Sequence, residues 1–247
     1  MNILDILTTS FLGLVFGSIG TLIGGFIGIS LKRVSNKFLS FILSVASGIM
    51  TSIICFDLIP EASKISKMNT IVFGLFIGIL TMIFCDIVVN NKLKPKINKM
   101  NTLLKTGIVL SIGLALHNIP EGLAISTSFE NSIKLGYALA ITIAIHDVPE
   151  GISMSAPLKK SGISNYKILL YVLLSGIATG VGAFIGALVG NVSEKIIALS
   201  LSFAAGTMLY VVYGELTPEY SKLQTGSISS FGNILGFVLG YVATHLC

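Results

Sequence analysis

Tryptophan is absent from this chain, cysteine occurs only three times, and charged residues make up only 11% of it. Each scarcity removes a class of protein. So few charges across 247 residues, with 53% hydrophobic residues and a mean hydropathy of +0.91, exclude a water-soluble globule and point to the bilayer as solvent. Without tryptophan, Tyr and Phe must serve at the membrane interfaces. Cys55 and Cys85 fall inside apolar runs and Cys247 is the last residue, so neither a disulfide framework nor a CxxC metal knuckle can be read. The net charge of +5 does not mark a nucleic-acid binder, because Lys and Arg sit in short segments between apolar runs rather than along one face. The first apolar run follows no basic segment and is too long for a secretory signal, so it reads as a retained helix. Glycine, in contrast, occurs 26 times, which suits membrane helices whose backbones approach closely.

Apolar stretches long enough to span, each of about 20 residues, run near 6–31, 38–60, 69–89, 103–128, 132–157, 167–190, 195–218 and 228–246. They predict an all-α polytopic membrane protein of eight transmembrane helices forming one transporter domain over residues 1–247. Cytoplasmic connections retain an excess of Lys and Arg. Those after helices 1, 3, 5 and 7 carry twelve, Lys105 among them, against Lys64, Lys67, Lys134 and Lys195 on the other side. This places both termini outside the cytoplasm, in a multi-pass protein of the cell membrane. His245, close to the end of the chain, is expected at the interface.

Helix 2 carries Ala46, Gly48, Met50, Asp57, Leu58, Pro60 and Glu61, and helix 7 answers at an offset of 158 with Ala204, Gly206, Met208, Glu215, Leu216, Pro218 and Glu219. Helices 1 and 6 match more loosely, Gly20, Gly24 and Phe26 against Gly182, Gly186 and Leu188. Five helices separate each pair, so the copies run in opposite directions, the inverted arrangement common in secondary transporters.

Helix 4 contains His117-Asn118-Ile119-Pro120-Glu121-Gly122 and helix 5 contains His146-Asp147-Val148-Pro149-Glu150-Gly151. In each hexad His and Glu stand at i and i+4 on one helical face, with Asn118 or Asp147 at its border. Two such faces, opposed, enclose nitrogen and oxygen ligands. Each proline lacks an N–H and clashes with the carbonyl four residues earlier, freeing the oxygens of Leu116 and Ile145 beside the histidines. An open backbone at membrane depth is tolerated where it lines a polar cavity.

An acid at the centre of a spanning helix costs roughly 2.5 to 3.5 kcal/mol on insertion scales, and Glu121, Asp147 and Glu150 share one region with no Lys or Arg in mid-span. Either they are protonated or a cation from outside occupies the site. Two imidazoles beside three carboxylates, without thiolate, suit a borderline divalent metal better than Na+ or K+. Met50 and Met208 read on chemistry alone as flexible core filler. By the same orientation Asp57 and Glu61 fall near the external mouth and Asp86, Glu215 and Glu219 near the internal one, three tiers of acid along a cation route. Two rivals remain open at this point. A membrane-embedded metal-dependent hydrolase could use the His-carboxylate cage, although HExxH and an obvious nucleophile are lacking. A proton-coupled organic cation carrier could use the acids as titrating groups.

With HNIPEG, HDVPEG, ASGIM...DLIPEA in helix 2 and AAGTMLYVVYGELTPE in helix 7, the chain resembles the ZIP (Zrt-, Irt-like) family of metal transporters in its bacterial form, over nearly its whole length. The resemblance implies a 3+2+3 inverted-repeat bundle and movement of Zn2+, foremost, or Fe2+, Mn2+, Co2+ or Cd2+ toward the cytoplasm. The metal is substrate, with no catalytic cofactor and no enzyme activity. It implies His117, Glu121 and Glu150 as ligands of a primary central metal with Met50 and His146 as additional contacts. Asn118 and Asp147, sharing Glu121 and Glu150, match a second central site, and Asp86 and Glu215 resemble exit residues. In helix 6, Thr179 stands where many bacterial relatives place the Glu that completes the second site, a far poorer ligand. The loop between helices 3 and 4 has no His-rich tract, and Gly214 stands where some relatives place a His. The partners implied are divalent metal ions and the bilayer; a homodimer is left open.

Overall fold

The computed structural model describes residues 3–31, 35–93, 99–190, 192–224 and 226–246. Among them the secondary structure is entirely helical, and eight long helices follow the eight predicted spans. They are α1 (Ile3–Ser30), α2 (Asn36–Ile65), α3 (Met68–Leu93), α4 (Lys99–Asn131), α5 (Ile133–Lys160), α6 (Asn165–Val189), α7 (Glu194–Leu223) and α8 (Ser227–Leu246). Seven are long and apolar enough to cross a membrane. The eighth, α5, is long enough at 28 residues but less apolar, as expected of the helix that carries Lys134, His146, Asp147 and Glu150. Of the charges used to orient the chain, Lys32, Arg33, Lys94 and Lys96 lie outside the described residues, as does the side chain of Lys99; the side chain of His245, expected at the interface, lies outside them too.

Two groups of four helices make up the bundle. In one, α1 and α6 pack on each other and on α5 and α4 respectively; in the other, α2 packs on α8 and α7 on α3. The groups meet where α4 and α5 face α7, α2 and α3. Backbones touch along these seams because glycine leaves room for them. A methyl group added at Gly122 would strike the carbonyl oxygen of Thr179 in α6, and one added at Gly151 the carbonyl oxygen of Thr21 in α1. Buried hydroxyls beside the seams bond within their own helix: Thr21 donates to the Gly17 carbonyl at 2.8 Å and Ser155 to that of Gly151 at 2.6 Å.

The seams fix the register of the repeat. Thr21 and Thr179 stand 158 residues apart, and so do Gly24, which meets the Val148 carbonyl, and Gly182, which meets that of Ile119. In the second group Gly78 meets the Phe203 carbonyl and Gly236 that of Val45; Gly48 meets the Asn233 carbonyl and Gly206 that of Leu75. Every one of these pairs obeys the same offset, so α1 to α3 repeat as α6 to α8 without a gap, and α4 maps on α5 at an offset of 29. The looser alignment of helices 1 and 6 expected from sequence, at 162, is therefore corrected by one turn. Gly20 faces the Ala144 carbonyl and Asp147, whereas its former match Gly182 faces Ile119.

The repeat also explains a local feature. Residues Ile54–Leu58 of α2 and Val211–Leu216 of α7 form π-helical turns, where the N–H of Ile59 reaches the Ile54 carbonyl and that of Thr217 reaches the Val212 carbonyl. Pro60 and Pro218 follow at once. The wider turn moves the carbonyls of Phe56 and Gly214 out of the way of the proline rings, so the helix continues with one extra residue. Asp57 and Glu215 each lie within the widened turn. Pro120 and Pro149, by contrast, sit inside uninterrupted α-helix.

Candidate metal centre

Helices α4 and α5 cross with their hexads facing each other. His117, Asn118, Asp147 and Glu150 have no exposed surface and Glu121 has almost none. His117 Nε2 lies 2.9 Å and His146 Nε2 2.7 Å from the same atom, Oε1 of Glu121. Glu150 Oε1 is 3.5 Å from His117 Nε2, and Asp147 Oδ1 is 3.8 Å from His146 Nε2. His117, Glu121 and His146 can thus offer three donor atoms within 4.8 Å of one another. The i and i+4 spacing puts each His and Glu on one face, while Gly122 and Gly151 seat the same turns against α6 and α1.

Hydrogen bonding leaves the centre short of positive partners. Both oxygens of Glu150, both of Asp147, Oε2 of Glu121 and Oδ1 of Asn118 are buried without a hydrogen-bond donor, and so is the hydroxyl of Thr179. Asn118 is held by its other end, its Nδ2 donating to the Ser175 carbonyl at 2.9 Å. Buried carboxylates in this condition are costly unless a cation or protons compensate them. No Lys or Arg among the described residues pairs with Glu121, Asp147 or Glu150. The donor set of imidazole nitrogen and carboxylate oxygen fits Zn2+ and its neighbours.

The remaining predicted residues divide. Met50 is fully buried in the apolar core, as is its repeat partner Met208. Asp57 lines a cavity of 210 Å3 with His146, Ile49, Ile53 and Leu239, so this cavity reaches one of the two hexads. Glu61 pairs at the surface with Lys64 at 2.8 Å. At the opposite end Asp86 and Glu215 do come together, but around a residue that the sequence reading had counted as a connection charge. Lys105 Nζ lies 2.8 Å from Asp86 Oδ1 and 2.8 Å from Glu215 Oε1. Tyr210 donates its hydroxyl to Asp86 Oδ2 at 2.9 Å, and Thr106 donates to Glu215 Oε2 at 3.0 Å. These two acids are therefore occupied rather than free. One signal was available: Lys105 stands two residues inside the predicted start of helix 4 and one turn from the apolar run of Ile108 and Val109.

Comparison with known proteins identifies the family. The family model described as ZIP Zinc transporter matches residues 91–246. A protein named Zinc transporter ZupT from Shigella dysenteriae serotype 1 (strain Sd197) is 28% identical over 238 residues, covering 92% of this chain and 93% of its own. The Zinc transporter ZupT of Escherichia coli O127:H6 (strain E2348/69 / EPEC) matches with the same identity and coverage. Helices, hexads and matched span converge on one conclusion: this chain belongs to the ZIP zinc transporter family.

Proposed function

We propose that the protein moves Zn2+ by preference toward the cytoplasm, through a site built by His117, Asn118, Glu121, His146, Asp147 and Glu150 between α4 and α5. Its action is divalent metal transport across a membrane and not catalysis, which removes the hydrolase rival. The observation that carries the site is the set of buried carboxylate oxygens with no donor, beside two imidazoles within 3 Å of Glu121. Asp57 receives the ion from the 210 Å3 cavity, and Asp86 with Glu215 passes it out at the other end. Met50, buried in the core of α2, supplies a soft sulfur contact once the helix groups have moved. The excess of Lys and Arg in the connections after α1, α3, α5 and α7 supports the orientation, with both termini outside the cytoplasm.

Reconstituted in liposomes, the full chain is expected to accumulate 65Zn, and a strong chelator outside is expected to stop accumulation completely. Transport of an organic cation that persists under chelation would favour the proton-coupled carrier instead. Thr179 yields a second expectation. Its hydroxyl is buried without a partner in α6, the helix that also holds Asn118 through Ser175. Thr179→Glu adds a carboxylate there, so calorimetry should register a second bound metal equivalent and thermal stability should become more strongly metal-dependent. An unchanged stoichiometry of one would count against this placement of the second site.

A further inference from the structure

Lys105 joins the two helix groups. It projects from α4, while Asp86 belongs to α3 and Glu215 to α7, so this cluster ties one group of four helices to the other at a single end of the bundle. Glu215 is only 3% exposed and Lys105 23%, and a partly buried, hydrogen-bonded pair of this kind holds better than a surface one. At the opposite end the groups stand apart around the 210 Å3 cavity that contains Asp57.

The repeat maps one end on the other. The offset of 29 that carries His117 to His146 carries Lys105 to Lys134, and the offset of 158 relates Glu215 to Asp57 and Asp86 to Thr244. Lys134 is exposed at the start of α5, and neither it nor Asp57 has an ion-pair partner within 4 Å among the described residues. Thr244 already lines the cavity beside Asp57. The nearby Lys64 is engaged by Glu61. In an inverted repeat, exchanging the conformations of the two copies generates the opposite state of the carrier.

We propose that Lys105 and Lys134 are alternating latches: Lys105 bridges the helix groups and shuts the Glu215 end, and in the opposite state Lys134 pairs with Asp57 and closes the cavity open here. The inference rests on the pathway reading, in which Asp57, Asp86 and Glu215 flank the route of the metal. Because one ammonium occupies the exit carboxylates, metal and Lys105 exclude each other there. The inner latch has two carboxylates and the outer one has one, so the conformation with the Glu215 end shut is favoured when no metal is bound.

Cross-linking tests this in full-length protein in liposomes, with Cys55, Cys85 and Cys247 replaced by Ser, diamide as oxidant and EDTA present. The Lys134→Cys/Asp57→Cys pair is expected to form a disulfide slowly, and adding Lys105→Met is expected to speed it at least about threefold by releasing the favoured state. The charge exchange Lys105→Glu/Glu215→Lys should return the rate to its slow value, which shows that Lys105→Met acts through the pair and not through misfolding. No disulfide between 57 and 134, while a Lys105→Cys/Glu215→Cys control cross-links, would overturn the proposal. So would a rate indifferent to Lys105→Met. The measurement needs no metal, so loss of the latch and failure of the central site assignment remain distinguishable.

Discussion

Replacing Glu121 by alanine is expected to reduce 65Zn uptake at least about 100-fold, since even substitutions one shell away from a metal commonly cost 10 to 100-fold. Glu121 is the carboxylate on which both imidazoles converge, at 2.9 and 2.7 Å, and it is almost fully buried. The fold should survive its loss. Removing Glu121 relieves repulsion with Asp147 and Glu150, whose oxygens lack donors, but it also takes from His117 and His146 the carboxylate that both reach, so the two effects oppose each other. The outcome separates function from stability: melting in the absence of metal shifts little, while flux and calorimetric affinity collapse. Glu121→Gln, which keeps the shape and loses the charge, should behave alike. Uptake within twofold of the unsubstituted protein in both variants would remove Glu121 from the site. His117→Ala carries the same expectation for flux, because His117 Nε2 also lies 3.5 Å from Glu150 and thereby connects the two hexads.

Gly122→Leu is expected to prevent folding outright. Its added carbon would run into the Thr179 carbonyl oxygen, with the Ala183 nitrogen only 2.7 Å away, and both belong to helical backbone that cannot step aside. Overpacking ordinarily costs about 1 to 3 kcal/mol and occasionally more, and here it also separates α4 from the helix that positions Asn118. Gly151→Leu should fail in the same way against α1, where the Thr21 carbonyl and the Gly25 nitrogen at 3.0 Å stand in the corresponding places. Gly214→Ala supplies the contrast. The nearest atoms to a methyl group there are ring carbons of Tyr210 at 3.1 Å, a side chain tied at its hydroxyl to Asp86 that need give only a few tenths of an ångström, and no backbone stands in the way. Size-exclusion profiles in detergent should therefore be monodisperse for Gly214→Ala and lost to aggregation for Gly122→Leu. A stable Gly122→Leu protein would mean that the α4 and α6 backbones are not in contact.

Much of this was legible in the sequence, for physical reasons that can be named. Spans are legible because hydrocarbon tolerates so little polarity that twenty apolar residues define a helix; the predicted 69–89 and 195–218 lie inside α3 and α7. The hexads are legible because His and Glu at i and i+4 inside such a span have few uses. Lys105 was not. Its position near a helix end suits both a solvated charge and a buried bridge, and only the approach of α3 and α7 decides between them. The register of α1 on α6 escaped for a related reason: glycines look alike in sequence, and the carbonyl each one faces is what distinguishes them. A signal did exist in Gly74 and Gly78 against Gly232 and Gly236, which repeat at the same 158 residues as Met50 and Met208. The π turns were beyond reach, since Pro60 and Pro218 provoke them while Pro120 and Pro149 do not.

A duplication that keeps its spacing through three helices relates the two ends of the bundle, which differ where Thr244 answers Asp86. Such a machine has no arrow of its own. On the proposed reading, whichever compartment holds the higher activity of free ion fills the site more often, so the gradient sets the sense of travel. Vesicles loaded with metal and diluted into buffer should consequently discharge through the same protein that fills them.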